Sequence, residues 1–131
     1  MSDVNVIRYL LANSAPLTAV VGAAKIVIGE IRQGTSMPAI LVNHISGVWG
    51  KQLAGQSNFC RARVQVTVQA ADYAQQKQIM RLVRAAVPRT RGTIAGVEVE
   101  EILREPDGPD FSNSDAGIFL QTLDFMVSFN E

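Results

Sequence analysis

The sequence is poor in the residues that most often carry chemistry. Of its 131 residues, one is cysteine and one is histidine. A lone cysteine, Cys60, excludes an intrachain disulfide and a cysteine zinc site, and it points to a reducing compartment. A lone histidine, His44, excludes a paired-histidine zinc helix. Charged residues make up only 18%, against about 25% in an average globular chain. A domain with so little charge is expected to hide part of its surface against a partner. The net charge is zero, whereas sequence-independent nucleic-acid binding needs a basic footprint. No apolar run reaches the ~18 residues of a membrane span. The longest, Ala15 to Ile28, is interrupted by Thr18 and Lys25. Met1-Ser2-Asp3-Val4 lacks the basic stretch of a signal peptide. The expectation is a soluble, intracellular protein with one domain over residues 1–131.

What is present reads as a mixture of helices and strands. Ser2 or Asp3 caps a first helix whose Val6, Ile7, Leu10 and Leu11 form one apolar stripe. Pro16 opens a second, short helix and Gly22 ends it. Lys25 to Ile28 and Ala39 to Ser46 read as strands. A glycine-rich loop spans 47–58. In Cys60 to Ala70 the residues Ala62, Val64, Val66 and Val68 alternate with Arg61, Arg63, Gln65, Thr67 and Gln69, so one face packs and the other stays polar. Asp72 and Gln75 form a capping box for the main helix. Its stripe is Tyr73, Ile79, Met80, Val83, Ala86 and Val87, and Pro88 closes it. Gly92 to Gly96 is a turn. Gly96 to Glu105 is a strand with a phase slip at Glu101-Ile102 that marks a bulge. A loop over 106–116 leads to the last strand, 117–130. The fold class is α+β: a mostly antiparallel sheet, with a long helix and an N-terminal helical segment packed on one face.

Catalytic patterns are missing. Gly50-Lys51 has Ile45 where a P-loop needs glycine. Ser46 lies two residues from His44, and there is no Gly-x-Ser-x-Gly elbow. His44 reads as a strand histidine making one hydrogen bond, and Cys60 as a small residue at a strand start. Glu98, Glu100, Glu101 and Glu105 read as a solvated or partner-facing stripe. No catalytic, cofactor or metal residue is expected, and the chain is not expected to be an enzyme.

The charge distribution is the stronger clue. Residues 1–91 hold eleven of the twelve basic residues and three acidic ones, a net of +8. Residues 92–131 hold Arg104 against nine carboxylates, a net of −8. Either these charges meet within one subunit, or identical copies associate head to tail, basic side to acidic side. Trp49, in the glycine-rich loop, packs either on its own sheet edge or on a partner.

The order of these segments resembles the tail-completion family of long-tailed phages, also called tail terminator or tail-to-head joining proteins. The resemblance is carried by Pro16 to Gly22, Met37 to Gly47, Arg61 to Ala74 and Gly117 to Val127, and spans nearly the whole chain. It implies a structural virion protein at the tail–neck junction, made in the host cytoplasm. The protein would form a ring, usually of six copies, at the head-proximal end of the tail tube. The ring ends tube polymerisation, joins the tail to a head-completion or neck protein, and lets DNA pass through its lumen without sequence-specific binding. On this basis Arg61, Arg63 and Arg84 are expected to meet Glu98, Glu100 and Asp107 of a neighbouring copy. Trp49, Lys51 and Gln52 are expected to form a loop touching the neck or tube. An Arg63→Glu change is then expected to weaken assembly and spare the fold. The alternatives are another neck component (a head-closure or connector protein), a tail-tube relative, or a small-molecule-binding domain or hydrolase using His44.

Overall fold

The computed structural model describes residues 2–32, 34–52, 55–113 and 117–131, with backbone alone at 51–52, 55–57 and 111–113. The elements are α1 (Ser2–Ala12), α2 (Ala15–Thr18), a 3-10 turn (Ala23–Lys25), β1 (Ile26–Ile28), β2 (Ala39–Gln52), β3 (Gly55–Ala70), α3 (Tyr73–Ala86), β4 (Gly92–Ile94), β5 (Val97–Asn113) and β6 (Ile118–Asn130). The strands form one six-stranded sheet in the order β1-β2-β3-β6-β5-β4. Among the described residues only β1–β2 is parallel; the other four pairings are antiparallel.

Alternation in β3 sets the two sides of the sheet. Ala62, Val64, Val66, Val68 and Ala70 are buried. They share a side with Leu123, Phe125, Val127 and Phe129 of β6, as the register requires. All three helices lie on this side. α1 contributes Val4, Val6, Ile7 and Leu11, α2 contributes Leu17, and α3 contributes Ile79, Met80 and Val83 to a single core. Roughly 1.5–3 kcal/mol per large apolar side chain favours this burial. No described element covers the other side of the sheet.

α3 starts where the sequence places it. Asp72 Oδ1 accepts from Gln75 N at 2.7 Å. Gln75 Oε1 reaches back to accept from Ala71 N at 3.0 Å. Its buried face departs from expectation at its first turn. Tyr73 is exposed and donates its hydroxyl to Asp110, while Gln76 is fully buried. At the start of α1, Asp3 is not a simple cap. It is buried and turned inward to His44, and Ser2 donates to Glu131 Oε1 at 2.6 Å.

Both expected long loops are largely strand. Residues 47–52 extend β2 and 55–58 begin β3, so the glycine-rich segment is a hairpin arm running past the end of β6. Glycine scored as a loop signal, but Val48 and Trp49 pair across to Arg61 and Cys60. Likewise β5 continues through Pro106 and Pro109 to Asn113. Proline cannot donate to a ladder and is tolerated at edges and bulges. β4 covers only Val97 to Val99, so beyond it β5 is the sheet edge, and its register slips twice between Arg104 and Asp110. Gly108 sits in this stretch because a Cβ there would lie 2.3 Å from Thr122 Oγ1. The expected slip near Glu101 is present between Val99 and Glu101. The turn at 92–96 is tighter than expected. β4 pairs Ile94 with Val97 through Ala95 and Gly96, both at positive φ (51° and 77°), the geometry that matches strand twist in two-residue hairpins.

Candidate assembly surface

His44 is the first place to look for chemistry. It lies opposite Val64 on the helix side of the sheet, and its Nδ1 donates to the buried Asp3 Oδ2 at 2.5 Å. Beside the pair, an open cavity of about 270 Å³ is lined by Gly47, Trp49, Cys60 and Phe129. Neither candidate nucleophile near it in sequence or space is placed to attack. The register shift at Ile45 puts Ser46 opposite Arg63, on the other side of the sheet from His44. Cys60 is buried, and burial first, then the charges of Asp3 and Glu131, push its thiol up from its ordinary value. A protonated thiol is a poor nucleophile. The pair instead fastens α1 to β2. Among the described residues no group of three acidic, histidine or cysteine side chains could hold a metal ion.

The six charged residues expected at a subunit boundary fall into two sets. Arg84 and Asp107 do meet, at 3.4 Å, but within one chain, where the side chain of Arg84 on α3 reaches β5. Next to them Lys77 Nζ donates to Asp110 Oδ1 at 2.7 Å and to Gln121 Oε1 at 3.1 Å. Hydrogen bonding to the Asp110 carboxylate holds the Lys77 ammonium above its ordinary value, and the same bond holds Asp110 below its own. The basic side of α3 and the acidic edge of β5 therefore neutralise each other locally. Sequence separation hid this: Arg84 and Asp107 are brought together by topology, not by spacing.

The other four lie elsewhere. Arg61 and Arg63 project from the uncovered side of β3. Arg61 Nε reaches Ser128 Oγ at 3.4 Å, and Arg63 Nε donates to Asp124 Oδ2 at 3.0 Å. Glu98 is exposed at the far end of β5. Glu100 lies 3.7 Å from Arg91 and accepts from Asn130 at 3.2 Å. Arg89 and Glu101 close a further pair at 2.7 Å. Exposed pairs of this kind contribute roughly 0–1 kcal/mol each. They set register more than stability.

Trp49 packs on its own sheet, against β6. Its ring stands edge-on to Phe129, centroids 6.1 Å apart at 76°, yet it stays about half exposed. The side chains of Lys51 and Gln52, like Asp115, lie outside the described residues. Sequence reasoning missed three exposed apolar residues, Ile45, Val48 and Leu103. One signal for Leu103 was available: it is an apolar residue set between Glu101 and Glu105 on a strand.

No curated protein matches the chain. Among solved structures, a chain of the virion of a native gene transfer agent particle has the same fold. It aligns with a TM-score of 0.70 at 15% identity, over 96% of this chain and 92% of that one. The family model described as "Tail completion protein gp17" matches residues 5–129. A match of that extent covers every element from α1 to β6, and on it the chain belongs to the tail completion protein gp17 family, as a structural component of the virion tail.

Proposed function

We propose that the chain forms a ring, usually of six copies, at the head-proximal end of a phage tail tube. There it ends tube polymerisation and joins the tail to a head-completion or neck protein. The observation that carries this reading is a sheet with helices on one side only. A side left uncovered by its own chain is either solvated or partnered. This one is polar in its centre, with Arg61, Arg63, Gln65, Thr67 and Gln69 along β3. Such a surface suits the wall of a water-filled passage.

Its charge suits DNA transit. Arg63 is matched by Asp124 at 3.0 Å, so the wall does not present a continuous cationic stripe. Polyanion binding scales with the number of phosphates neutralised, and a matched wall lets DNA slide through without holding it. Arg61, Glu98 and Glu100 would then contribute rim contacts that orient neighbouring copies, while Arg63 stays paired with Asp124 in the wall. Arg84 and Asp107 already pair within the chain, and their part in the ring is to hold α3 against β5. The hairpin tip with Lys51 and Gln52 runs past the end of β6, with Trp49 at its base beside Phe129, which suits the arm to touch the tube or neck.

Electron microscopy of the purified chain, alone and mixed with tail tubes, tests this. Closed six-fold rings capping one end of each tube are expected. Open filaments would point to a tube relative, a different closed symmetry to another neck component, and uncapped tubes with free monomer would refute the reading.

A further inference from the structure

On the uncovered side of the sheet, apolar side chains sit at the two lateral margins and polar ones between them. At the β2 margin Val48 is 73% exposed, and Ile45, displaced at the register shift, is 48% exposed. Here Val48, Gly50, Phe59 and Arg61 line a shallow groove of about 300 Å³. At the β5 margin Leu103 stands opposite Met126 and is 40% exposed. Glu101 and Glu105 flank it along the strand, Glu101 already bonded to Arg89. The strip between the margins holds Arg63 against Asp124 and Arg61 against Ser128.

We infer that in the assembled ring the β5 margin of one copy lies against the β2 margin of the next, with Leu103 seated in the Val48–Phe59 groove. This rests on the ring reading above. Three features select a second copy as the occupant. The groove and the leucine are on opposite margins of one surface, which is what a head-to-tail contact between identical copies needs. Their charges match: an arginine borders the groove, and carboxylates flank the leucine. The strand directions also agree. β2, β3, β6 and β5 are antiparallel in succession, so a β5 placed beside a neighbour's β2 keeps the alternation.

The contact is made by side chains rather than by a shared ladder. β1 covers β2 only at Ile40 to Val42, and the open stretch beyond has register shifts after His44 and after Trp49. The open stretch of β5 carries Pro106, Pro109 and two further shifts. Bulges and prolines are devices that blunt edges against strand addition. They leave apolar packing as the source of affinity.

Disulfide trapping tests the pairing. On a Cys60→Ser background, Val48→Cys combined with Leu103→Cys and mild oxidation should give a ladder of multimers ending at the closed ring. Either cysteine alone should give none. Leu103→Glu should abolish rings without shifting the melting temperature, and adding Val48→Lys should restore them. Rings that form without the ladder, or that survive Leu103→Glu, would overturn this contact and leave the ring reading standing. A chain that never closes into rings, alone or on tubes, overturns both.

Discussion

Replacing Gln76 by methionine should make this protein more stable, although nothing at the surface changes. Gln76 is fully buried on the core face of α3. Among the described residues neither its Oε1 nor its Nε2 finds a hydrogen-bond partner. Leaving a buried polar group unpaired costs about 1–3 kcal/mol. Methionine has nearly the same length and shape, fills the space with an apolar chain, and removes that cost. Unfolding entropy near 2.1 cal/mol/K per residue over 131 residues converts each kcal/mol into about 4 °C. The expected rise in melting temperature is therefore roughly 4–11 °C, followed by circular dichroism and checked by calorimetry. Gln76→Ala should behave oppositely, because the gain from removing the amide is offset by a cavity. A methionine variant melting at or below the wild type would falsify the reasoning, since it would mean the amide is satisfied in solution.

Three further outcomes follow from contacts elsewhere in the fold. Asp72→Ala should lower stability in urea by about 1 kcal/mol while Asp72→Ser stays near wild type, because either oxygen can accept from Gln75 N; equal losses in both would exclude capping as the cause. The link between Lys77 and Asp110 depends on pH with a definite sign. Asp110 is held below its ordinary value, so its contribution is present above the usual aspartate range and fades as pH falls through its lowered value. Lys77 is held above its ordinary value, so its contribution fades only as pH rises through that raised value. A carboxyl titration followed by NMR should therefore find Asp110 titrating low, and Asp110→Asn should return Lys77 towards its ordinary value; an Asp110 titrating normally would refute the pairing. Finally, Arg63→Glu replaces the guanidinium that lies 3.0 Å from Asp124 with a like charge, so it should lower the melting temperature as well as weaken assembly, contrary to the simple expectation from sequence. The exchange Arg63→Glu with Asp124→Arg should restore melting, and failure of the exchange to do so would show that the pair does not act locally.

Much of the fold was legible because it depends on short-range periodicity. Alternation in 60–70 forces one side of β3 inward whatever lies next to it. The Asp72–Gln75 spacing starts a helix by local hydrogen bonds alone. Composition alone excludes an intrachain disulfide, a multi-cysteine zinc site and a paired-histidine zinc site in any arrangement, since there is one cysteine and one histidine. The strand ends were misread for a common reason. Glycines at 47, 50 and 55 and prolines at 106 and 109 are turn signals locally, but cross-strand partners and an open sheet edge let extended backbone run through them. Tyr73 and Gln76 exchanged their expected roles because helical period gives a face, whereas the neighbouring Asp110 decides which side chain stays at the surface.

Composition and local pattern by themselves determined an α+β chain with a half-polar sheet and charge divided between its two ends. Only the tertiary structure decided what that charge does. With α3 packed over β3 and β6, its side chains reach β5 and join Arg84 to Asp107 and Lys77 to Asp110 inside one subunit. The tertiary structure also leaves Val48 and Leu103 exposed at opposite margins of the bare side. The reason is that Coulomb and apolar contacts act over a few ångströms in space, and sequence separation carries no information about that distance until the strands are ordered.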